Sequence, residues 1–216
     1  MDLATVDQLL TTTRTVRRRL DLKRPVELEV IARCIEIAFQ APTAMNLQNW
    51  HFVVVTEAAK RGQLAALYSK AADQIIQLYS SGPYPVVDLR TEQLPRLMES
   101  GIYLKDHLHE VPVLVVPCIE TRIENAGVMM QATMYGSILP AVWSFMLALR
   151  ARGLGAAWTT DHLFYEKEAA QVLGIPDHVT QVALLPVAYF KGTDFKPARR
   201  LPAHEHIHWN AWGRQR

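Results

Sequence analysis

Cysteine is scarce in this chain. Two occur in 216 residues, Cys34 and Cys118, each inside an apolar run. That density excludes a disulfide scaffold, and both read as buried free thiols. Excess charge is lacking too: 23 basic against 21 acidic side chains leave a formal net charge of +2. This balance excludes a nucleic-acid binder of the usual basic type but leaves room for a local cationic pocket. The longest apolar run, 138–149, falls short of the roughly 20 residues that cross a bilayer. The opening ten residues carry Asp2 and Asp7 and no apolar stretch, so no signal peptide and a cytoplasmic location are expected. Repeats are missing, and no Ser-His-Asp or Cys-His arrangement for nucleophilic catalysis is legible.

What is present is a large supply of core. Half the residues are hydrophobic, enough for one domain spanning 1–216. The spacing of Leu28, Ile31, Ala32, Ile35, Ala38 and Phe39 predicts a helix within 26–40. Helices are also predicted at 5–10, 57–70, 90–109 and 166–173, the last closed by Gly174. In 90–109, Leu94, Leu97, Met98, Ile102 and Leu108 are the inward set. Strands are expected at about 50–55, 113–118, 156–160 and 182–189, with Pro117 at a strand end or an edge. A helix from about Ser137 or Pro140 to Arg150 is apolar nearly all round, with Ser137 its polar interruption, and Gly153 is placed to end it with positive φ. Ser80, Ser81, Gly82, Pro83 and Pro85 make a break.

Three stretches carry chemistry. Residues 11–20 hold four arginines and four threonines with no acid. Guanidinium forks match phosphate oxygens, and Arg14 and Arg17 would share one side of a helical turn. Arg18 and Arg19 read as exposed. The stretch A-P-T-A-M-N-L-Q-N-W, 41–50, is a loop of amides and hydroxyls between a helix and a strand, suited to hydrogen-bonding a planar polar ligand. Cations return in K-P-A-R-R-L-P, 196–202. The run H-E-H-I-H, 204–208, would place His204, His206 and His208 on one side of an extended chain, but exposed histidines are the plainer reading.

Taken in order, these stretches resemble the FMN-dependent nitroreductase family. Arg14, Thr15, Val16 and Arg17 match its R-R-S-V-R element; Pro42, Thr43, Asn46, Gln48 and Trp50 match P-S-x-x-N-x-Q-P-W, with Asn49 in place of the usual proline. G-L-G-A-A-W, 153–158, matches a third element. The resemblance implies an α+β nitroreductase-like fold, a central mostly antiparallel sheet flanked by helices, in an intertwined homodimer. It implies FMN at the subunit interface, held by Arg14, Thr15, Val16, Arg17, Pro42, Thr43, Ala44, Asn46, Gln48, Trp158, Thr159, Thr160, Arg199 and Arg200. Backbone N–H groups of Thr159, Thr160 and Asp161 would face the reactive flavin nitrogen, and Arg200, with Arg199 second, would reach the phosphate. It further implies a variable lid at about 71–109, where Tyr79, Tyr84, Tyr103 and His107 are candidate lining residues. The tail at 196–216 would reach the partner. The implied activity is hydride transfer from NADH or NADPH to FMN and on to a nitroaromatic, quinone or related acceptor. A flavin-holding or sensing module without turnover, and specialised flavin chemistry such as dehalogenation or cofactor breakdown, stay open beside it.

Overall fold

A five-stranded sheet forms the middle layer of the computed structural model, which describes residues 2–80 and 89–216. The strands are β1 (Trp50–Val55), β2 (Val113–Ile119), β3 (Leu154–Ala156), β4 (Thr180–Gln181) and β5 (Leu185–Tyr189). All pairings are antiparallel, in the order β1-β2-β5-β3, with β4 also on β2. β2 shows why helices lie on both sides. Its side chains alternate: Val113, Val115 and Ile119 enter one apolar cluster, Leu114, Val116 and Cys118 the other. A strand buried on both faces reads as the continuous run V-L-V-V-P-C-I.

The first face is covered by α2 (Leu28–Ala38) and α5 (Val128–Arg150). The second is covered by α3 (Ala58–Ser80), α6 (Glu166–Leu173) and the end of α4 (Leu89–His107). A short first helix, α1 (Leu3–Thr12), is capped by the Asp2 carboxylate. The α+β class and the antiparallel sheet flanked by helices are as the sequence implies. Both thiols are buried and free. Gly153 and Gly174 take φ of 78° and 69° where they end α5 and α6.

Several boundaries differ from expectation. α5 runs unbroken through Pro140, whose missing N–H would have bonded the carbonyl of Gly136. At 23 residues it is the one helix among the described residues long and apolar enough to span a bilayer, and its second half is instead packed in the core. The third strand lies at 154–156, and the expected 182–189 strand is shortened to β5 at 185–189, with β4 preceding it at 180–181. Pro117 sits in the central strand, neither at its end nor at an edge. Its carbonyl accepts from Val182, so the absent N–H points into the gap where pairing passes from β5 to β4, and no rung with β1 is lost. α3 continues ten residues beyond the expected 57–70. Among the described side chains of α4, Leu104 is buried, as is Leu108 just beyond it, while Leu97 and Ile102 are exposed. Tyr84 and most of the 80–85 break lie outside the described residues.

Candidate functional site

The cationic arm is built on the edge strand β3. The Val16 N–H donates to the Ala156 carbonyl at 2.9 Å, and Leu20 bridges to Phe190. Gly155 is required for this approach: a Cβ there would lie 2.9 Å from the Val16 Cβ. The arm leaves α1 through an extended Thr13 and has no helix at 14–16, so the helical turn that the Arg14–Arg17 spacing suggested is absent and the two guanidiniums go separate ways. Arg14 is exposed and donates to the Lys196 carbonyl at 3.3 Å. Arg17 is half-buried and donates to Ser100 Oγ on α4 at 3.2 Å. Its Nε is buried with no partner. Arg18 is exposed and paired with Glu99. Arg19 is not free in solvent: it holds the Lys191 carbonyl and Asp194 and lies over the Phe195 ring.

Arg17 shares its surroundings with Tyr68 of α3 and Asp161, which follows β3. Burial pushes the Asp161 carboxyl up, against a hydrogen bond from Tyr68 and the charge of Arg17. Burial likewise raises the Tyr68 hydroxyl and lowers the Arg17 guanidinium. Trp158 is half-buried against the core. Thr159 is buried, and both its N–H and its hydroxyl donate to the Leu184 carbonyl, at 3.1 and 2.7 Å. That corrects its expected role as a donor to a ligand. Thr160 is exposed, and its amide and that of Asp161 turn toward the Asp161 carboxylate. His162 is fully buried, both ring nitrogens lack partners, and burial pushes it down to about 4.

The amide loop sits at the other end of the molecule. It leads into β1, whereas the arm lies on β3, three strand spacings or roughly 14 Å across the sheet. Met45, Asn46 and Gln48 all take positive φ, 50°, 55° and 50°. Three left-handed residues that are not glycine cost about 1–3 kcal/mol each and cluster where function constrains the backbone. Local hydrogen bonds hold the loop: Gln48 N–H to Thr43 Oγ1 at 3.3 Å, and Gln48 Nε2 to Asn46 Oδ1 at 2.9 Å. Ser137 anchors it to α5, receiving the Ala44 N–H at 3.0 Å while donating to the Thr133 carbonyl. The Thr43 hydroxyl proton and the Asn46 amide donors remain for a ligand.

Arg14 meets the tail at the Lys196 carbonyl. Arg199 pairs with Glu92 at 3.2 Å. With Arg200 it lines a cavity of about 350 Å³ against α4, shared with Arg90, Gln93, Leu201 and His206. Residues 203–206 form a 3-10 turn, so His204, His206 and His208 do not alternate along an extended strand. No cluster of metal-ligating side chains occurs among the described residues. Sequence reasoning missed Tyr68, Ser100, the Asp161 carboxyl and the anchoring role of Ser137. Only Ser137 left a signal, as a lone hydroxyl in an apolar run.

An antiparallel sheet clothed by helices on both faces, with a donor-rich arm at one edge and a strained amide loop at the other, defines an α+β class. The chain belongs to the nitroreductase family, whose model matches residues 10–189. It is 29% identical over 173 residues to 5,6-dimethylbenzimidazole synthase of Rhodospirillum rubrum, covering 77% of this chain and 74% of that one. It is 25% identical over 211 residues to an NADH dehydrogenase of Thermus thermophilus, covering 91% of each. Among solved structures, iodotyrosine deiodinase bound to FMN and 3-iodo-L-tyrosine superposes with a TM-score of 0.70 at 22% identity, covering 95% of this chain and 98% of that one, a likeness of fold.

Proposed function

We propose that the chain is an FMN-dependent oxidoreductase acting as a cytoplasmic homodimer. The arm of one copy and the loop of the other would meet around the flavin. One observation carries this reading: the buried, unpartnered Nε of Arg17, on an arm otherwise rich in hydroxyls and cations. A desolvated guanidinium donor without an acceptor costs stability, and a phosphate, ribityl or ring oxygen would satisfy it. The donor set fits FMN: Arg14, Thr15 and Arg17 for the phosphate and ribityl chain, with Val16 pinning the arm. Pro42, Thr43, Ala44, Asn46 and Gln48 would shape the loop against the ring, and Trp158 with Thr160 would back it. The apolar surface exposed on α2, the loop and α5 supports pairing of two copies. Leu28, Phe39, Met45, Val128 and Met129 all lie there, and Met45 is 92% exposed.

Bound FMN would supply hydride transfer, from NADH or NADPH and then to a nitroaromatic, quinone or related acceptor, in a ping-pong sequence. The chain's own part is to bind, orient and exclude water, and no side chain is assigned as acid, base or nucleophile. Tyr103 and His107, in tilted contact with centroids 4.4 Å apart on α4, would belong to the lid that selects the acceptor. A second reading, specialised flavin chemistry, is favoured by the likeness to a dimethylbenzimidazole synthase. Mixing the yellow protein with NADH or NADPH under nitrogen tests the choice. Bleaching followed by recovery on adding a nitroaromatic or quinone is expected. Bleaching that these acceptors do not reverse supports the second reading, and no bleaching with either donor leaves a flavin-holding module.

A further inference from the structure

Two neighbours on the arm meet two neighbours on α4. Arg17 donates to Ser100 Oγ at 3.2 Å, and Arg18 pairs with Glu99 at 2.7 Å. The two contacts differ in kind. Arg18 and Glu99 are largely exposed charges, and such a pair contributes little. Arg17 and Ser100 are both half-buried, and the acceptor is a neutral hydroxyl. That hydroxyl is aimed. Ser100 donates its one proton to the Leu97 carbonyl, a turn back on α4, at 2.9 Å. Its lone pairs are left for a donor, and Arg17 Nη1 takes one. A guanidinium is a rigid planar fork, so holding Nη1 restricts where Nε points. Nε is the buried donor without a partner.

Charge makes the serine informative. A carboxylate at position 100 would hold the fork at least as well, but it would neutralise Arg17 and compete with a phosphate or ring oxygen. A hydroxyl holds the fork and leaves its charge for a ligand. The groups that share the surroundings of Arg17 act the same way. Burial keeps the Tyr68 hydroxyl neutral and pushes the Asp161 carboxyl up, which weakens its claim on the guanidinium.

We propose that Ser100 is a positioning residue for the flavin: it holds the Arg17 fork with Nε toward the bound molecule and leaves the positive charge for that molecule to meet. This rests on the oxidoreductase reading and gives α4 a part in flavin binding beside acceptor selection.

The test is a fluorescence titration with FMN on the flavin-stripped, full-length protein and its variants, beside thermal melts without flavin. Ser100→Ala should weaken FMN binding about fivefold, and Ser100→Thr, which keeps the hydroxyl, should recover most of the loss. Ser100→Asp should raise the melting temperature of the flavin-free protein by pairing with Arg17, and weaken FMN binding at least about tenfold. A serine that only supports the fold would not move the two readouts in opposite directions. Glu99→Ala, which removes the neighbouring exposed pair, should leave FMN affinity unchanged. In an Arg17→Met background, Ser100→Ala should cost no further affinity, because the group it positions is gone. Wild-type affinity in Ser100→Ala or Ser100→Asp, equal losses in Ser100→Ala and Glu99→Ala, or additive losses in the double variant would overturn the proposal while the flavin reading stands. A wild-type protein that binds no FMN would overturn both.

Discussion

Arg17 is held in a position that suits a ligand better than it suits the folded chain. Its Nε is buried without an acceptor, and Ser100 satisfies only one end of the guanidinium. An unmade buried hydrogen bond costs about 1–3 kcal/mol. Arg17→Met should therefore leave the flavin-free protein as stable as wild type or up to about that much more stable, while weakening FMN binding at least about tenfold. Thermal melts of the apo protein and a fluorescence titration with FMN measure both. A variant with lower apo stability and unchanged FMN affinity would make Arg17 a structural residue. His162 poses a different question. Its ordinary value is 6.5, and burial pushes it down to about 4 in the folded chain. Between those pH values the unfolded chain takes up a proton that the folded chain refuses. The stability held above about pH 6.5 is thus lost as pH falls, by about 3 kcal/mol at pH 4. His162→Phe should show a shallower fall between pH 6.5 and 4 in denaturant titrations. Identical pH dependence in both proteins would mean the ring gains a partner on protonation.

Among the elements, α4 divides into two parts. Leu104 is buried, as is Leu108 just past the helix end, while Leu97 and Ile102 are exposed and Pro95 removes a helical rung. Amides at 90–99, Pro95 aside, should therefore exchange faster than those at 103–107 in the flavin-free protein. Uniform protection along the helix would argue against a lid hinged at its second half. The same helix shows where sequence reading loses its grip. Its apolar residues fit a helical period, but the period does not say which part meets a neighbour. α6 was legible from end to end, because Gly174 and the following proline punctuate it. The break at 182–184 between β4 and β5 was not, because it depends on pairing with β2 and on the Thr159–Leu184 bridge. Likewise the arm and loop residues were legible as residue types. Their backbone paths were not: Met45 and Gln48 carry no preference for positive φ, and the approach of the arm to β3 depends on Gly155, far away in sequence.

For the molecule as a whole, the sheet keeps the arm and the loop apart. The arm lies on β3 and the loop feeds β1, at opposite edges. On the proposed reading, one copy of the chain would present two half-sites beside the apolar side chains exposed on α2 and α5. Two copies related by a twofold axis would complete two sites, each with an arm from one chain and a loop from the other. Complementation reads this directly. An arm variant, Arg14→Ala with Arg17→Ala, and a loop variant, Asn46→Ala with Thr43→Ala, are each purified alone and as a tagged heterodimer, and bound FMN is measured per chain. Each variant alone should lose most of its flavin, and the heterodimer should regain about half the wild-type content, because one of its two sites is intact. A heterodimer as empty as its parents would show that each chain builds its flavin site by itself.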